Sequence, residues 1–176
     1  MFRDVLIGLD HSPAAAQALA QAIALADRHG GRLTILTAIP PVQGWPAGPV
    51  ESLTAARQLA VELEQHAVAL QQRAVELVPR CLPVTTVLRH ERPCAALLSR
   101  IEEGHHDLLV LGDDGTRRLR LRRSLTERLE RRAAIPVLVV GADGTTALHT
   151  PAGDVGRRRP RADGPRPVIA ENGNAG

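Results

Sequence analysis

The chain has 176 residues, a length that suits one compact domain with a short additional segment. Apolar residues make up 44% and charged residues 23%, which is typical of a soluble globular protein and excludes collagen-like, fully disordered and membrane-embedded classes. The only aromatic residues are Phe2 and Trp45, and every basic residue is arginine. The core must therefore be built from Ala, Val, Leu and Ile, and aromatic platforms for stacking nucleic-acid bases are nearly excluded.

The formal net charge of +3 is unevenly distributed along the chain. Residues 1–115 carry 9 Arg against 13 acidic residues, residues 116–132 carry 8 Arg against 2, and residues 133–176 carry 5 against 4. The positive charge is therefore concentrated in the middle segment.

The cysteines and the amino terminus indicate a cytoplasmic protein. Cys81 and Cys94 are too few and too far apart for a disulfide framework or a cysteine-rich zinc site, so a reducing compartment fits best. The amino terminus lacks the apolar segment of a signal peptide, and no apolar run is long enough to cross a membrane.

Apolar runs alternate with helical periodicities along the first 140 residues. Runs without polar alternation predict buried strands, and apolar positions every three or four residues predict helices. The predicted strands cover residues 5–9, 33–39, 84–88, 107–111 and 135–140. The predicted helices cover residues 14–29, 53–77, 94–102 and 124–132, the first of them with Ser12 as N-cap, Pro13 at its start and Gly30 at its end.

This alternation predicts an α/β protein with a doubly wound parallel sheet of five strands and helices on both faces, a flavodoxin-like or nucleotide-binding three-layer fold. From Gly141 onward the residues are mainly Gly, Pro, Arg, Thr and Asp without an apolar period. We therefore expect a domain over residues 1–140 and a disordered tail over residues 141–176.

Two turns follow predicted strands where an open parallel sheet binds its ligands. Gly8, Leu9 and Asp10 come at and after the end of the first strand, and Gly112 and Gly115 follow the fourth. If these strands are neighbours, the turns face each other across one crevice. Asp10 would then accept hydrogen bonds from a ribose or a base, and the two glycines would let a ligand approach the backbone.

The segment Ser124-Leu125-Thr126-Glu127 has the S-x-x-E pattern of a capping box. The amino end of the helix that it begins would favour an anion, and the hydroxyls of Ser124 and Thr126 could bind phosphate. A capping box is more often only the start of a helix, so this pattern alone does not predict a phosphate site.

The ordered set VLIGLDHSP, DLLVLGDDG and SLTERLERRAAIPVLVV resembles the universal stress protein family over about 140 of the 176 residues. The resemblance implies strand order 3-2-1-4-5, the fold of the adenine nucleotide α-hydrolase group, frequent homodimers and, in one branch, ATP binding. It assigns the nucleotide site to the following positions: Gly8, Leu9, Asp10, Ala38, Leu111, Gly112, Gly115, Ser124, Leu125 and Thr126.

The phosphate loop departs from the family pattern G-x2-G-x9-G-[ST]. Seven residues instead of nine follow Gly115, and Arg123 replaces the third glycine. An arginine side chain needs space where the backbone would touch phosphate, although its guanidinium could clamp a phosphate from the rim. Mg²⁺ is expected only if a triphosphate is bound.

The last predicted strand would form an edge of the sheet. An apolar edge over Pro136 to Val140 invites pairing with another chain, so the sequence predicts a homodimer through this strand, as the resemblance also implies.

The predicted function is regulatory or protective, with an adenine nucleotide or another anionic small molecule in the crevice. The alternative is an interaction module whose arginine-rich surface, Arg117 to Arg132, binds acidic protein or nucleic acid; no nucleic-acid motif accompanies it. No Ser-His-Asp order, HExxH or Walker lysine is present, so we expect no enzyme, with weak ATP hydrolysis or adenylation as the third, least favoured class. The adjacent His105 and His106 are expected on the surface.

Overall fold

The structure is a computed structural model that describes residues 1–41, 50–113 and 125–151, with the side chains of residues 50–53 left out. The strands are β1 (Asp4–Gly8), β2 (Arg32–Ala38), β3 (Val84–Arg89), β4 (Leu108–Asp113), β5 (Val137–Gly141) and β6 (Thr146–His149). The helices are α1 (Pro13–Arg28), α2 (Val50–Glu76), α3 (Pro93–Glu103) and α4 (Leu125–Arg132).

The six strands form one sheet in the order β3-β2-β1-β4-β5-β6. The first five pair in parallel, which confirms the predicted α/β fold and the order 3-2-1-4-5. β1 lies in the middle, with Gly8 beside Leu36 of β2 and beside Leu111 of β4. The carboxyl ends of β1 and β4 are therefore neighbours.

Both faces of the sheet are covered by apolar packing. One cluster joins the sheet to α1 and to the carboxyl part of α2, and the other joins it to α3 and α4. Successive residues of β1 alternate between the clusters, and Val5, Leu6 and Ile7 are completely buried. Burial on both faces explains why the inner strands β1, β2, β4 and β5 read as continuous apolar runs.

Helix α1 begins and ends as its sequence predicts. The Ser12 side chain accepts a hydrogen bond from the Ala15 N–H at 3.1 Å, and Pro13 occupies the first turn. At the other end His29 is the C-cap, and Gly30 follows with φ +57°, a left-handed conformation that suits glycine.

A carboxylate fixes the start of the central strand pair. Asp107, which precedes β4, accepts hydrogen bonds from the N–H groups of Arg3 at 2.7 Å and Asp4 at 3.1 Å. The Asp107 N–H donates in turn to the Asp4 carbonyl at 3.0 Å. These contacts fix the pairing of β1 with β4 at the end of the sheet opposite the crevice.

The sixth strand is the main difference from the sequence prediction. Residues Thr146–His149 pair antiparallel with β5, Val137 lying opposite His149. A short turn makes the reversal: Asp143 Oδ1 accepts from the Thr145 N–H at 3.0 Å and from its hydroxyl at 2.7 Å, and Gly144 has φ +82°. The described part of the predicted tail therefore contains a hairpin, while residues 152–176 lie outside the described residues.

This hairpin corrects the predicted edge. β5 is bonded to β4 on one side and to β6 on the other, so the prediction that Pro136 to Val140 form a bare edge is wrong. The prediction missed β6 because all four of its residues are exposed and carry no apolar period. Homodimer formation stays a prediction, without the bare β5 edge on which it was based.

His105 is exposed, as the sequence predicts, whereas His106 is only partly exposed. Both ring nitrogens are buried, and neither has a hydrogen-bond partner among the described residues. Burial, and then the positive charges of Arg100 and Arg32, lower the pKa of His106 to about 4. The folded protein therefore favours the neutral ring.

This pKa predicts a loss of stability in mild acid. The His106 ring binds a proton more weakly in the folded state than in the unfolded state, so protonation below pH 6.5 favours the unfolded state. The stability associated with the neutral ring is therefore fully present above pH 6.5 and is lost as the pH falls toward 4. We expect a decrease of about 1 to 2 kcal/mol in the unfolding free energy over this range, after allowing for partial solvent exposure. Urea unfolding at a series of pH values measures it.

The variant His106→Gln should show a smaller decrease over the same pH range. His66→Gln, at an exposed position of α2, is the matched control and should follow the original chain. Equal pH dependence in the original chain and the His106 variant would contradict the assignment.

Candidate functional site

A crevice lies where β1 and β4 end side by side. It opens at the carboxyl edge of the sheet, on the face covered by α3 and α4, which is the usual ligand position in an open α/β sheet. Residues from five elements and the turn after β1 line it: Gly8, Leu9, Asp10, Leu36, Ala38, Pro93, Leu97, Leu111, Gly112 and Leu125.

The crevice is small and mainly apolar in the described part of the chain. Its volume is about 80 Å³, whereas sites for whole small molecules typically measure about 300 to 1,000 Å³. The space between the lining residues can therefore accommodate only part of a ligand, such as part of a planar ring. Residues 114–124, which join β4 to α4 in the chain, lie outside the described residues.

Asp10 supplies the charged group of the crevice. It is exposed, and its Oδ1 accepts a hydrogen bond from the Ser12 N–H at 3.0 Å, so the carboxylate is held by the turn that starts α1. A carboxylate fixed at the mouth of an apolar crevice can accept hydrogen bonds from amino or hydroxyl groups of a ligand.

Gly112 has a packing role that the sequence analysis does not predict. A Cβ at this position would lie 2.6 Å from the carbonyl carbon of Ala14 and from the nitrogen of Ala15. The missing side chain thus lets the first turn of α1 lie directly against the end of β4. Gly112 lines the crevice, but its need to be glycine comes from helix packing.

The structure brings seven of the predicted site residues together around the crevice: Gly8, Leu9, Asp10, Ala38, Leu111, Gly112 and Leu125. Thr126 is 8% exposed and is not among the residues that line the crevice. Gly115, Arg123 and Ser124 lie outside the described residues. Whether these positions bind a ligand stays a prediction.

Sequence reasoning missed three lining residues, Leu36, Pro93 and Leu97. Leu36 could have been found, because it is two residues before Ala38 on the same strand and shares its face. Pro93 and Leu97 are on the first two turns of α3, and their position depends on how that helix packs over the sheet. No local pattern indicates it.

Part of the arginine-rich surface is visible on α4. Arg128, Arg131 and Arg132 are exposed. The last two lie in the final turn of α4, where a positive charge interacts favourably with the negative end of the helix dipole. Arg117 to Arg123 lie outside the described residues.

The described residues contain neither a metal-binding cluster nor a membrane-spanning helix. Within residues 1–41, 50–113 and 125–151, no three His, Cys, Asp or Glu residues are grouped so that they could hold a metal ion. In the same ranges, no helix has the combination of length and apolar character that a membrane crossing needs.

The fold and the crevice define an α/β protein with a candidate small-molecule site at the switch point of a doubly wound sheet. The sequence profile of the universal stress protein family matches residues 1–141, and the chain belongs to that family. A search of curated proteins found no match.

Solved structures of universal stress proteins share this fold. The protein UspA from Lactobacillus plantarum is 22% identical, with a TM-score of 0.61, over 78% of this chain and 97% of that chain. A universal stress protein in complex with cAMP is 23% identical, with a TM-score of 0.53, over 80% and 98%. A family protein from Arabidopsis thaliana with AMP bound is 15% identical, with a TM-score of 0.54, over 79% and 91%.

The close packing at Gly112 predicts a marked cost for adding one methyl group. In Gly112→Ala the new Cβ would meet backbone atoms of α1, so the helix must shift, and we expect a loss of about 1 to 3 kcal/mol in unfolding free energy. Urea unfolding followed by circular dichroism measures it.

Gly8→Ala is the matched control. Its Cβ would meet side-chain atoms of Leu111 at 3.0 Å and of Leu97 at 3.3 Å, which can move aside, so the loss should be clearly smaller. Equal losses in the two variants would contradict the packing role of Gly112.

Proposed function

We propose that this chain is a regulatory or protective universal stress protein that binds an adenine nucleotide in the crevice between β1 and β4. The observation that carries the proposal is the convergence of an apolar slot and a fixed carboxylate at the switch point of the sheet. The AMP and cAMP named for two solved relatives support the choice of an adenine nucleotide.

The crevice fits a flat ring better than a bulky group. The short side chain of Ala38 leaves space at the end of β2, and Leu97 and Leu111 offer apolar contact to the faces of a base. Asp10 at the mouth would accept from the amino group of a base or from a ribose hydroxyl. The amino end of α4, at Leu125, lies beside the same crevice and would favour the phosphates.

The family resemblance implies ATP as the nucleotide. Residues 115–124 depart from the family's phosphate-loop pattern, and this pattern is the part of the site that would bind the phosphates of ATP. The replacement of a glycine by Arg123 would change backbone contacts into side-chain contacts. The proposal therefore includes AMP and ATP, and Mg²⁺ only with a bound triphosphate.

A binding role without catalysis is proposed from the crevice lining. Asp10 is the only titratable side chain among the described lining residues. General acid–base or nucleophilic catalysis usually needs at least two cooperating groups within hydrogen-bond reach. Detection of weak ATP hydrolysis or adenylation in an activity assay would contradict this purely binding role.

Location in the cytoplasm and assembly as a homodimer remain part of the proposal. The sequence favours both. Because β6 covers β5, a dimer must use another surface than the strand that the sequence indicated.

Calorimetric titration with AMP and ATP, with and without Mg²⁺, tests the proposed site. We expect heat of binding and a rise in melting temperature at nucleotide concentrations up to millimolar. In Ala38→Leu the larger side chain would fill the slot, so the affinity should fall by at least about tenfold.

Ala147→Leu, on the exposed strand β6, adds the same atoms away from the crevice and should bind nucleotide like the original chain. Absence of heat and of any thermal shift at millimolar nucleotide would overturn the proposal. Salt-sensitive binding to a polyanion in place of nucleotide would support the alternative interaction module.

A further inference from the structure

The carboxyl end of α3 rests on a histidine whose ring nitrogens are buried. A Cβ added to Gly104, the C-cap of α3, would lie 2.8 Å from Nε2 and from Cδ2 of His106, so the ring packs directly against the end of the helix. Neither ring nitrogen has a hydrogen-bond partner among the described residues. A buried polar atom without a partner is costly, and a charge on such a ring is costlier still. The position therefore suits only the neutral ring.

Positive charge faces this ring from two elements of the fold. The charged and titratable groups around it come from α3, from β2 and from its own connection: Arg100, Arg32, Asp107 and His105. The two arginines are always positive, and of these four groups Asp107 alone favours a proton on the ring. Arg32 is itself paired with Asp4 of β1. A proton on His106 would therefore add a charge that this corner of the domain does not compensate.

The same corner anchors α3 to the sheet. Glu103, in the last turn of α3, accepts a hydrogen bond from the Arg89 guanidinium at the end of β3 and another from the Ser99 hydroxyl at 3.2 Å. Its Oε2 also lies 3.9 Å from Arg100 Nη1. One carboxylate thus serves two arginines, and the Nε atoms of both arginines are buried without a hydrogen-bond partner among the described residues. A charged His106 would repel Arg100 at this anchor.

The opposite end of α3 forms part of the crevice wall. Pro93 and Leu97 line the crevice, whereas Gly104 lies at the far end of the helix. The helix has only 11 residues, and a helix of this length is not stable in water without tertiary packing. Its packing on the sheet uses four buried side chains: Cys94, Ala96, Leu97 and Ile101. Loss of the anchor at the carboxyl end should therefore loosen the whole helix, including the wall of the crevice.

We propose that a proton on His106 releases the carboxyl end of α3 from the sheet and so weakens ligand binding in the crevice. The weakening of binding rests on the proposed function, whereas the release of α3 requires no ligand. The ring can reach water after a small movement, because His106 is already partly exposed and lies in the connection between α3 and β4. Acid thus shifts the chain toward a state in which Pro93 and Leu97 no longer form a fixed wall.

Proton linkage gives the size of this shift. The pKa of the His106 ring is about 4 while it is packed, and it returns toward 6.5 once the ring is released into water. The released state binds the proton more tightly, so acid favours it. Lowering the pH from about 7.5 to about 5 should raise the ratio of released to packed molecules by about tenfold, after allowing for the partial exposure of the ring.

Hydrogen exchange of the ligand-free chain, corrected for the intrinsic pH dependence of exchange, measures the release. The amides of α3 should lose about tenfold of their protection between pH 7.5 and pH 5. Their exchange should not respond to low urea, because a local release exposes little surface, whereas exchange in α1 should require global unfolding and respond to urea. Equal protection and equal urea dependence of α1 and α3 would show that α3 opens only with the whole domain, and would overturn the proposal.

Three variants assign the acid response to the ring. His106→Gln keeps a neutral polar side chain and should remove the response of α3. His105→Gln, at the exposed neighbouring position, is the matched control and should keep most of it. Arg100→Gln removes a positive charge that faces the ring, so its response should be smaller, and it serves as the test if the His106 variant does not fold. A response that is unchanged in both His106→Gln and Arg100→Gln would refute the role of His106.

Calorimetric titration with AMP at the two pH values tests the effect on the crevice. Since the ligand should bind only the packed state, the dissociation constant of the original chain should rise in acid by at least about threefold more than that of His106→Gln. Comparing the two proteins at the same pH removes the titration of AMP and of Asp10 from the result. An equal rise in both proteins would overturn the link between His106 and the crevice.

Failure of the proposed function gives a different result from failure of the switch. Absence of AMP binding at both pH values would overturn the proposed function and with it the effect of His106 on binding. The exchange experiment contains no nucleotide, so it decides the release of α3 separately. AMP binding with α3 protection that does not change between the two pH values would leave the proposed function in place and overturn the switch.

Discussion

Strand β1 lies between β2 and β4 and is hydrogen-bonded in parallel to both. This position requires the chain to cross one face of the sheet through α1 and then to return to the other side of β1 through α3. The complete burial of Val5, Leu6 and Ile7 makes any other placement of the strand expensive, since each side chain contributes about 1.5 to 3 kcal/mol when buried. The crevice exists because this reversal leaves the ends of β1 and β4 without a connection above them.

Small residues near the crevice position helix α1 against the ends of the central strands. Gly112 lets the first turn of α1 touch the end of β4, and the Ser12 cap holds that turn in place. Asp10 is in turn held by the Ser12 N–H. The residues that a ligand would meet are thus positioned by the packing of α1 on the sheet, so the stability of the domain and the shape of the site depend on the same contacts.

The sequence was sufficient for β1, β2, β4 and β5 because each is largely buried on both faces and therefore appears as an apolar run, whereas β3 lies at an edge of the sheet and has no buried residue. It was not sufficient for β6, whose four residues are exposed and whose existence depends on a turn held by Asp143 and Thr145. The same distinction holds at the crevice. Positions at strand ends could be predicted from the turns, whereas the wall formed by Pro93 and Leu97 results from the packing of a helix that is distant in sequence from β1.

The hairpin at the end of the described chain determines where the remaining residues leave the domain. Because β6 is antiparallel to β5, His149 lies beside Val137, at the first residue of β5. The chain therefore departs from the end of the sheet opposite the crevice, roughly 13 to 17 Å away along the strand direction. The segment that follows His149 therefore begins on the far side of the domain, and the entrance to the crevice is clear of that starting point.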